Sequence, residues 1–350
     1  MASAKQRPDH GRSATSPWQM PLNIWREVAL RVWNQSWLDN IGLVAAGVAF
    51  YGFLALVPLL GILVLTYGIF ARPETVIDHV MTMLTILPPD VVELIGQLLM
   101  SAVENSEQIS GLGILIALAV AIYAGCNGAG SVMTALNIAY EEKERRSLLR
   151  FYGIALIITA VAVLIALLAL AAMAAVAELD ALLPAASTAT IILGKAGLYL
   201  GMALLAASVA ATLYRFGPSR EDAQWQWLTP GSIFTALVWL LLAIGFSFYV
   251  TRLTDYDATY GSIAAIVMLL TWMYLSAYVF LFGAELNAEL EHQTAKDSTT
   301  GRPQPLGRRG AWVADHVAGL KDVGLDERGP SLAEAGPPPP DDEDAASGRG

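Results

Sequence analysis

Six stretches of at least 19 residues without one charged side chain dominate this sequence. They cover 41–71, 109–140, 151–177, 196–214, 223–251 and 258–284. A helix needs about 20 mostly apolar residues to cross a hydrocarbon core about 30 Å thick. Buried helices of soluble domains are usually shorter and need amphipathic neighbours to cover them. The expected fold class is therefore all-α, a polytopic membrane helix bundle. Its six transmembrane helices fall near 42–70, 111–139, 151–177, 190–214, 230–251 and 259–284. Composition agrees, with 55% hydrophobic and 15% charged residues against roughly 45–50% and 25% in soluble domains.

Orientation follows from Lys and Arg in the connections, which accumulate on the cytoplasmic side. The N-terminal segment, the second-to-third connection, the fourth-to-fifth connection and the C-terminal tail together hold eighteen. The opposite side holds Arg72 and Arg252, with Lys195 at the edge of the fourth run. Both termini are expected in the cytoplasm of a bacterial inner (plasma) membrane. The first twenty residues contain no apolar core of a signal peptide, so the first run is expected to act as the insertion signal.

Between the spans, 74–85 and 91–102 repeat apolar residues at helical spacing around Pro88-Pro89, which predicts two amphipathic outer helices. Ile24 to Leu38 reads as an interfacial helix with Trp25, Val28, Val32, Trp33 and Trp37 on one face. Thr229-Pro230 reads as an N-cap and first turn opening the fifth span. Three domains are expected: a disordered 1–22, a membrane domain over 23–292, and a disordered proline-rich, acidic cytoplasmic tail over 293–350. A short helix near Trp312 to Val323 is compatible with the pattern.

No Walker A loop, HExxH or GxSxG is present, and the four histidines form no ligand spacing with Cys126. No catalytic residue, metal site or cofactor is expected, and no basic excess points to nucleic acid. What remains is a set of polar groups that lipid cannot satisfy. Tyr51, Asn127, Asn137, Lys195, Tyr260 and Glu285 are the candidates for a polar path. Asn127 also fits a plain packing seam, because Ala117, Ala121, Gly125 and Ala129 repeat every four residues around it. Gly197 and Gly201 form a second small-residue pair for helix packing. Lys195 is either a snorkelling lysine or a bundle-facing cation. Glu285 is either a solvated helix end or the partner of an arginine among Arg145, Arg146, Arg150, Arg215 and Arg220. Pro58 inside the first span marks a kink.

Five segments carry a family resemblance. They are Ala45-Ala46-Gly47-Val48-Ala49-Phe50-Tyr51 running to Pro58, Ala135 to Tyr140 with Glu141-Glu142, and Pro230-Gly231 with Trp239 and Gly245 to Tyr249. The last two are Thr259-Tyr260-Gly261-Ser262 with Trp272 to Leu275, and Gly283 to Ala288. Over about 25–290 the chain resembles the YihY/BrkB family of bacterial inner-membrane proteins, also catalogued as ribonuclease BN-like. The resemblance implies six membrane helices and links to envelope integrity and resistance, and it brings no catalytic residues with it. The expected function is transport or translocation of a lipid or small solute. A non-transporting envelope scaffold is the alternative, and ribonuclease activity is not expected. Membrane lipids are the expected partners, with a homo-oligomer left open.

Overall fold

The computed structural model describes residues 11–70, 100, 111–177, 188–252 and 262–318. Long apolar runs without charge leave the backbone no water to bond with, and the helix satisfies its amides internally. Among the described residues seven long helices result, α1 (Leu22–Leu38), α2 (Ile41–Phe70), α3 (Gly111–Ala139), α4 (Leu148–Ala177), α5 (Thr188–Phe216), α6 (Trp225–Arg252) and α7 (Ser262–His292). A single-turn α8 (Trp312–Asp315) follows. No strand is formed among the described residues, only an isolated bridge between Ala223 and Thr299.

The six helices α2 to α7 are 28–31 residues long. Among the described residues four stretches, in α3, α4, α6 and α7, are long and apolar enough to cross a membrane, and the α1–α2 pair counts as a fifth. In α5 the apolar stretch Leu200–Phe216 is shorter. The architecture is a helical membrane bundle. The two expected outer helices lie outside the described residues, apart from Met100.

The helices pack in the order α4, α3, α2, α7, α6, α5, while α4 and α5 meet only sparsely. The central core joins Ile41, Leu136, Tyr140, Tyr214, Leu228 and Leu281. Small residues allow the closest crossings. A Cβ at Gly231 in α6 would lie 2.1 Å from the Gly283 carbonyl oxygen in α7. A Cβ at Gly125 in α3 would lie 2.5 Å from Thr159 Cγ2 in α4, and Ala129 packs beside Ala155 in the same seam. Around Gly197 and Gly201, by contrast, added Cβ atoms would meet nothing within 4 Å. Their spacing marks no close crossing among the described residues.

Between α1 and α2 the chain bends by 63°. Asn40 sits at the elbow with φ 52°, a left-handed conformation that Asn tolerates better than most residues. The α1 face differs from the expectation. Ile24, Val28, Val32 and Ser36 are the buried stripe, whereas Trp33 and Trp37 are exposed. An i, i+4 repeat faces one neighbour, and α7 supplies that neighbour. The start of α6 also moves: the helix begins at Trp225, so Pro230 lies inside it rather than in its first turn. Pro58 likewise lies inside α2.

Both expected terminal boundaries are corrected. Residues 11–22 are packed, with Ala14 and Met20 buried beside Trp227 and Leu290. Residues 293–318 are packed as well. Gln224 N donates to Ser298 O at 2.9 Å and Thr300 N to Asp222 O at 2.8 Å. The Arg309 guanidinium donates to the carbonyls of Ala295, Lys296, Gln304 and Ala314. Composition judges whether a segment could build a core alone. These segments instead add to one that exists. Residues 1–10 and 319–350 lie outside the described residues.

Candidate functional site

The segments expected on one side of the membrane meet at one end of the bundle. The N-terminal segment reaches the C-terminal one through Ala295 N and Arg12 O at 2.9 Å. The loop after α3 reaches α8 through Trp312 N and Glu142 Oε1 at 2.6 Å. The loop after α5 reaches α3 through Ser219 N and Asn137 Oδ1 at 2.7 Å. The result is a polar cap whose charges are mostly matched. Arg220 and Glu291 form a forked ion pair with side chains 1% and 0% exposed, and Ser298 Oγ adds a donor to Glu291 at 2.6 Å. Burial works against the charge on Arg220, but Glu291 more than compensates and keeps its pKa raised. Glu142 is pushed up, chiefly by burial. Burial also opposes charge on Glu144, yet bonds from the Arg146 side chain and backbone and from Asn137 hold its pKa at about 2.

The sparse contact of α4 with α5 leaves a cleft of about 1020 Å³. Its walls are apolar, with Ile154, Ile157, Ile158 and Val161 from α4 and Val209 and Leu213 from α5. Arg145, Arg146 and Arg150 stand at its polar end. Arg146 is committed to Glu144 at 2.8 Å and to the Gly217 carbonyl at 2.8 Å. Arg145 only approaches Glu142, at 3.9 Å, with a 68% exposed side chain. Arg150 makes no ion pair among the described residues. An apolar slot ending at the mostly exposed Arg145, which pairs with Glu142 only at 3.9 Å, and at Arg150, which makes no ion pair among the described residues, suits an amphipathic anion, since Arg forks bind phosphate or carboxylate.

A smaller pocket of about 440 Å³ lies in the cap, between α7, the loop after α3 and α8. Glu141, Glu285, Glu289, Asp315, His292 and His316 line it. Glu289 pairs with Arg31 at 2.7 Å, and Asp315 accepts from Gly307 N and Arg309 N. Glu141 accepts from Gln35 at 2.7 Å, and its pKa is raised by burial and then by Asp39 and Glu289. Glu285 is 0% exposed, and no N–H or O–H of the described residues reaches either carboxylate oxygen. It is neither a solvated helix end nor the partner of an arginine, as expected from sequence. The Asp39 carboxyl at the α1–α2 elbow is near enough to act on it electrostatically.

The other described candidates are not gathered into one path. Asn137 is buried and its amide is saturated, donating to Glu144 Oε2 at 3.0 Å and accepting from Ser219 N. Asn127 is half-buried on α3 and Tyr51 is exposed on α2. Lys195 lies on α5 with its side chain outside the described residues, and Tyr260 lies outside them altogether. Tyr51, Asn127, Asn137 and Glu285 do not line the larger cleft. Sequence reading missed Asp39 and Glu291 as functional partners. Asp39 left a signal, an acid between two apolar runs. Glu291 left none beyond standing among three acids at the end of α7. Among the described residues no group of three or more His, Cys, Asp or Glu could hold a metal ion.

The model of the virulence factor BrkB family matches residues 32–306. The chain belongs to the BrkB family. The match includes the segment 293–306, which the bundle packs. The BrkB-family chain is 31% identical over 173 residues to the ribonuclease-like protein YfkH of Bacillus subtilis, covering 49% of this chain and 62% of YfkH. It is 26% identical over 294 residues to a UPF0761 membrane protein of Rhodospirillum centenum, covering 83% of this chain and 63% of that one. A UPF0761 membrane protein of Pseudoalteromonas atlantica is 27% identical over 297 residues, covering 79% of this chain and 95% of the relative. The chain thus spans under two thirds of the length of the first two relatives. No solved structure matches it.

Proposed function

We propose that this chain lies in a bacterial inner membrane with both termini cytoplasmic, and that it moves a lipid or another amphipathic anion across that membrane. The observation carrying the reading is the α4–α5 cleft, apolar along its walls and headed by Arg145 and Arg150. Acyl chains fit the walls, and an anionic headgroup fits the arginines. Orientation is supported by the eighteen-to-two distribution of Lys and Arg. Membrane lipids are then both environment and partner, with no nucleic acid, and a homo-oligomer is compatible. No catalytic step is assigned; the ribonuclease-like description belongs to YfkH.

The test is movement of a labelled anionic phospholipid between leaflets of proteoliposomes. The wild-type protein should accelerate it, and the Arg145→Gln/Arg150→Gln double variant should lose most of the acceleration while inserting normally. A zwitterionic probe should respond less to the double substitution. Wild-type protein that moves no lipid would favour the scaffold alternative, for which the saturated Asn137 tie between two loops speaks.

A further inference from the structure

The pocket of about 440 Å³ in the cap carries the opposite sign from the cleft. Glu141, Glu285, Glu289 and Asp315 line it, and among the described residues no Lys or Arg does. Glu289 is already paired with Arg31, and Asp315 accepts from the Gly307 and Arg309 amides. Glu285 has no such partner. It is 0% exposed, and no hydrogen-bond donor of the described residues reaches either carboxylate oxygen. Along α7, Glu285, Ala288, Glu289 and His292 follow at i, i+3, i+4 and i+7, and all four line the pocket. That spacing is one helix face, so Glu285 belongs to the pocket wall. It stands about 10 Å further into the bundle than His292 at 1.5 Å per residue. A buried carboxylate offers only acceptors and costs heavily without a donor or a positive partner. A metal ion would need several oxygen ligands at once, and among the described residues no group of three or more His, Cys, Asp or Glu could hold one.

We propose that this pocket binds an organic cation through a primary ammonium group, which donates to the Glu285 carboxylate while its alkyl carbons lie against Trp312, Val313 and Val317. An ammonium brings three N–H donors and no acceptor, the complement of a carboxylate. The face of a Trp ring also attracts cations. The Trp312 ring is held in place here, stacked on His316 at 4.4 Å and 5.4 Å from the His292 ring. A pocket of this size lies within the range of small-molecule sites, roughly 300–1,000 Å³. A primary ammonium can come from a soluble amine or from an aminophospholipid headgroup. The walls are the last turns of α7, the last residue of α3 and the cap segments. This placement at a helix-end cap favours the soluble source. The pocket shares no lining residue with the cleft, and the site does not rest on the transport reading.

Calorimetric titration of the full-length protein in phosphatidylcholine nanodiscs with butylamine hydrochloride tests this, at neutral pH and constant ionic strength and against empty discs. One saturable site is expected. Glu285→Gln should weaken binding about tenfold or more, the loss of a charge-assisted hydrogen bond. Glu141→Gln removes an exposed acid of the same pocket and should weaken binding by less. It serves as the test should Glu285→Gln fail to insert. Tetramethylammonium carries the charge without an N–H and should bind more weakly than butylammonium. No saturable butylammonium binding overturns the proposal, as does an affinity unchanged in every variant that inserts. Equal affinity for tetramethylammonium overturns it too, and so does displacement by potassium at matched concentration, which would assign the pocket to a metal cation. Discs containing phosphatidylethanolamine separate the two sources. Unchanged affinity there means a soluble amine, and competitive loss places a lipid ammonium in the same site.

Discussion

Asn287 on α7 bonds the α6 backbone on both sides of Pro230: its Oδ1 accepts from Gly231 N at 2.7 Å and its Nδ2 donates to Leu228 O at 3.1 Å. Proline lacks the N–H that would continue the helix ladder and crowds the turn before it. A neighbouring helix can re-satisfy the freed backbone groups inside a membrane. The amide fits there because Gly231 and Gly283 let the two backbones touch.

Removing that amide should therefore cost more than removing a surface one. Asn287→Leu leaves the buried Gly231 N–H without its acceptor, worth about 1–3 kcal/mol, while Leu228 O keeps the Ser232 hydroxyl at 2.6 Å. Thermal unfolding in detergent should show a clear drop, and Gly283→Ala should match or exceed it, since its Cβ would lie 2.0 Å from Thr235 Oγ1. Melting unchanged in both would mean that α6 and α7 part readily.

The two small-residue pairs should behave oppositely. Gly125→Leu must displace Thr159, and overpacking costs about 1–3 kcal/mol. Gly201→Ala meets open space and relieves the helix penalty of glycine, about 0.5–1 kcal/mol. The same melting assay separates them, and equal loss from both would place another surface against α5.

Shortening the chain should reveal where the tail ends its structural role. A protein ending at 318 keeps the Arg309 carbonyl cage, the Ser298 bond to Glu291 and the α8 contact with Glu142. Ending it at 292 removes all three and uncovers the Arg220–Glu291 pair, whose disruption costs about 3–5 kcal/mol when one partner is lost. Yield and melting of membrane-inserted protein should fall for the shorter form alone.

Acid should weaken the cap at Glu144. Its pKa in the folded protein is lowered to about 2 from 4.5. A lowered value means the contribution is fully present above about 4.5 and is lost as pH falls towards about 2. Glu144→Gln should flatten the acid side of the stability profile within that window. A profile identical to wild type would mean that Arg146 and Asn137 find other partners.

Fold class, and where the helices lie, were legible in the sequence because the bilayer imposes a one-dimensional rule: apolar length without charge. The six runs became six helices of 28–31 residues. The Gly125 and Gly197 patterns look alike in sequence, yet among the described residues only Gly125 meets a neighbour, since spacing describes one helix and packing needs two. The tail read as unfoldable by composition, because composition contains no term for a surface already waiting at 223 and 299.

By itself, then, the sequence determined that these segments must be helices in an apolar medium, and it concentrated the basic residues on one side. It also kept acids out of the middle of every run. Tertiary structure alone decided which charges meet. Glu141 and Glu285, which line one pocket, are 144 positions apart in the chain, and Arg220 and Glu291 are 71 apart. Whether a carboxylate is neutralised by an arginine or shares a pocket with another carboxylate depends on which helix ends the bundle brings together. Electrostatic energy depends on distance in space and on the water excluded there, and neither quantity is encoded in local pattern.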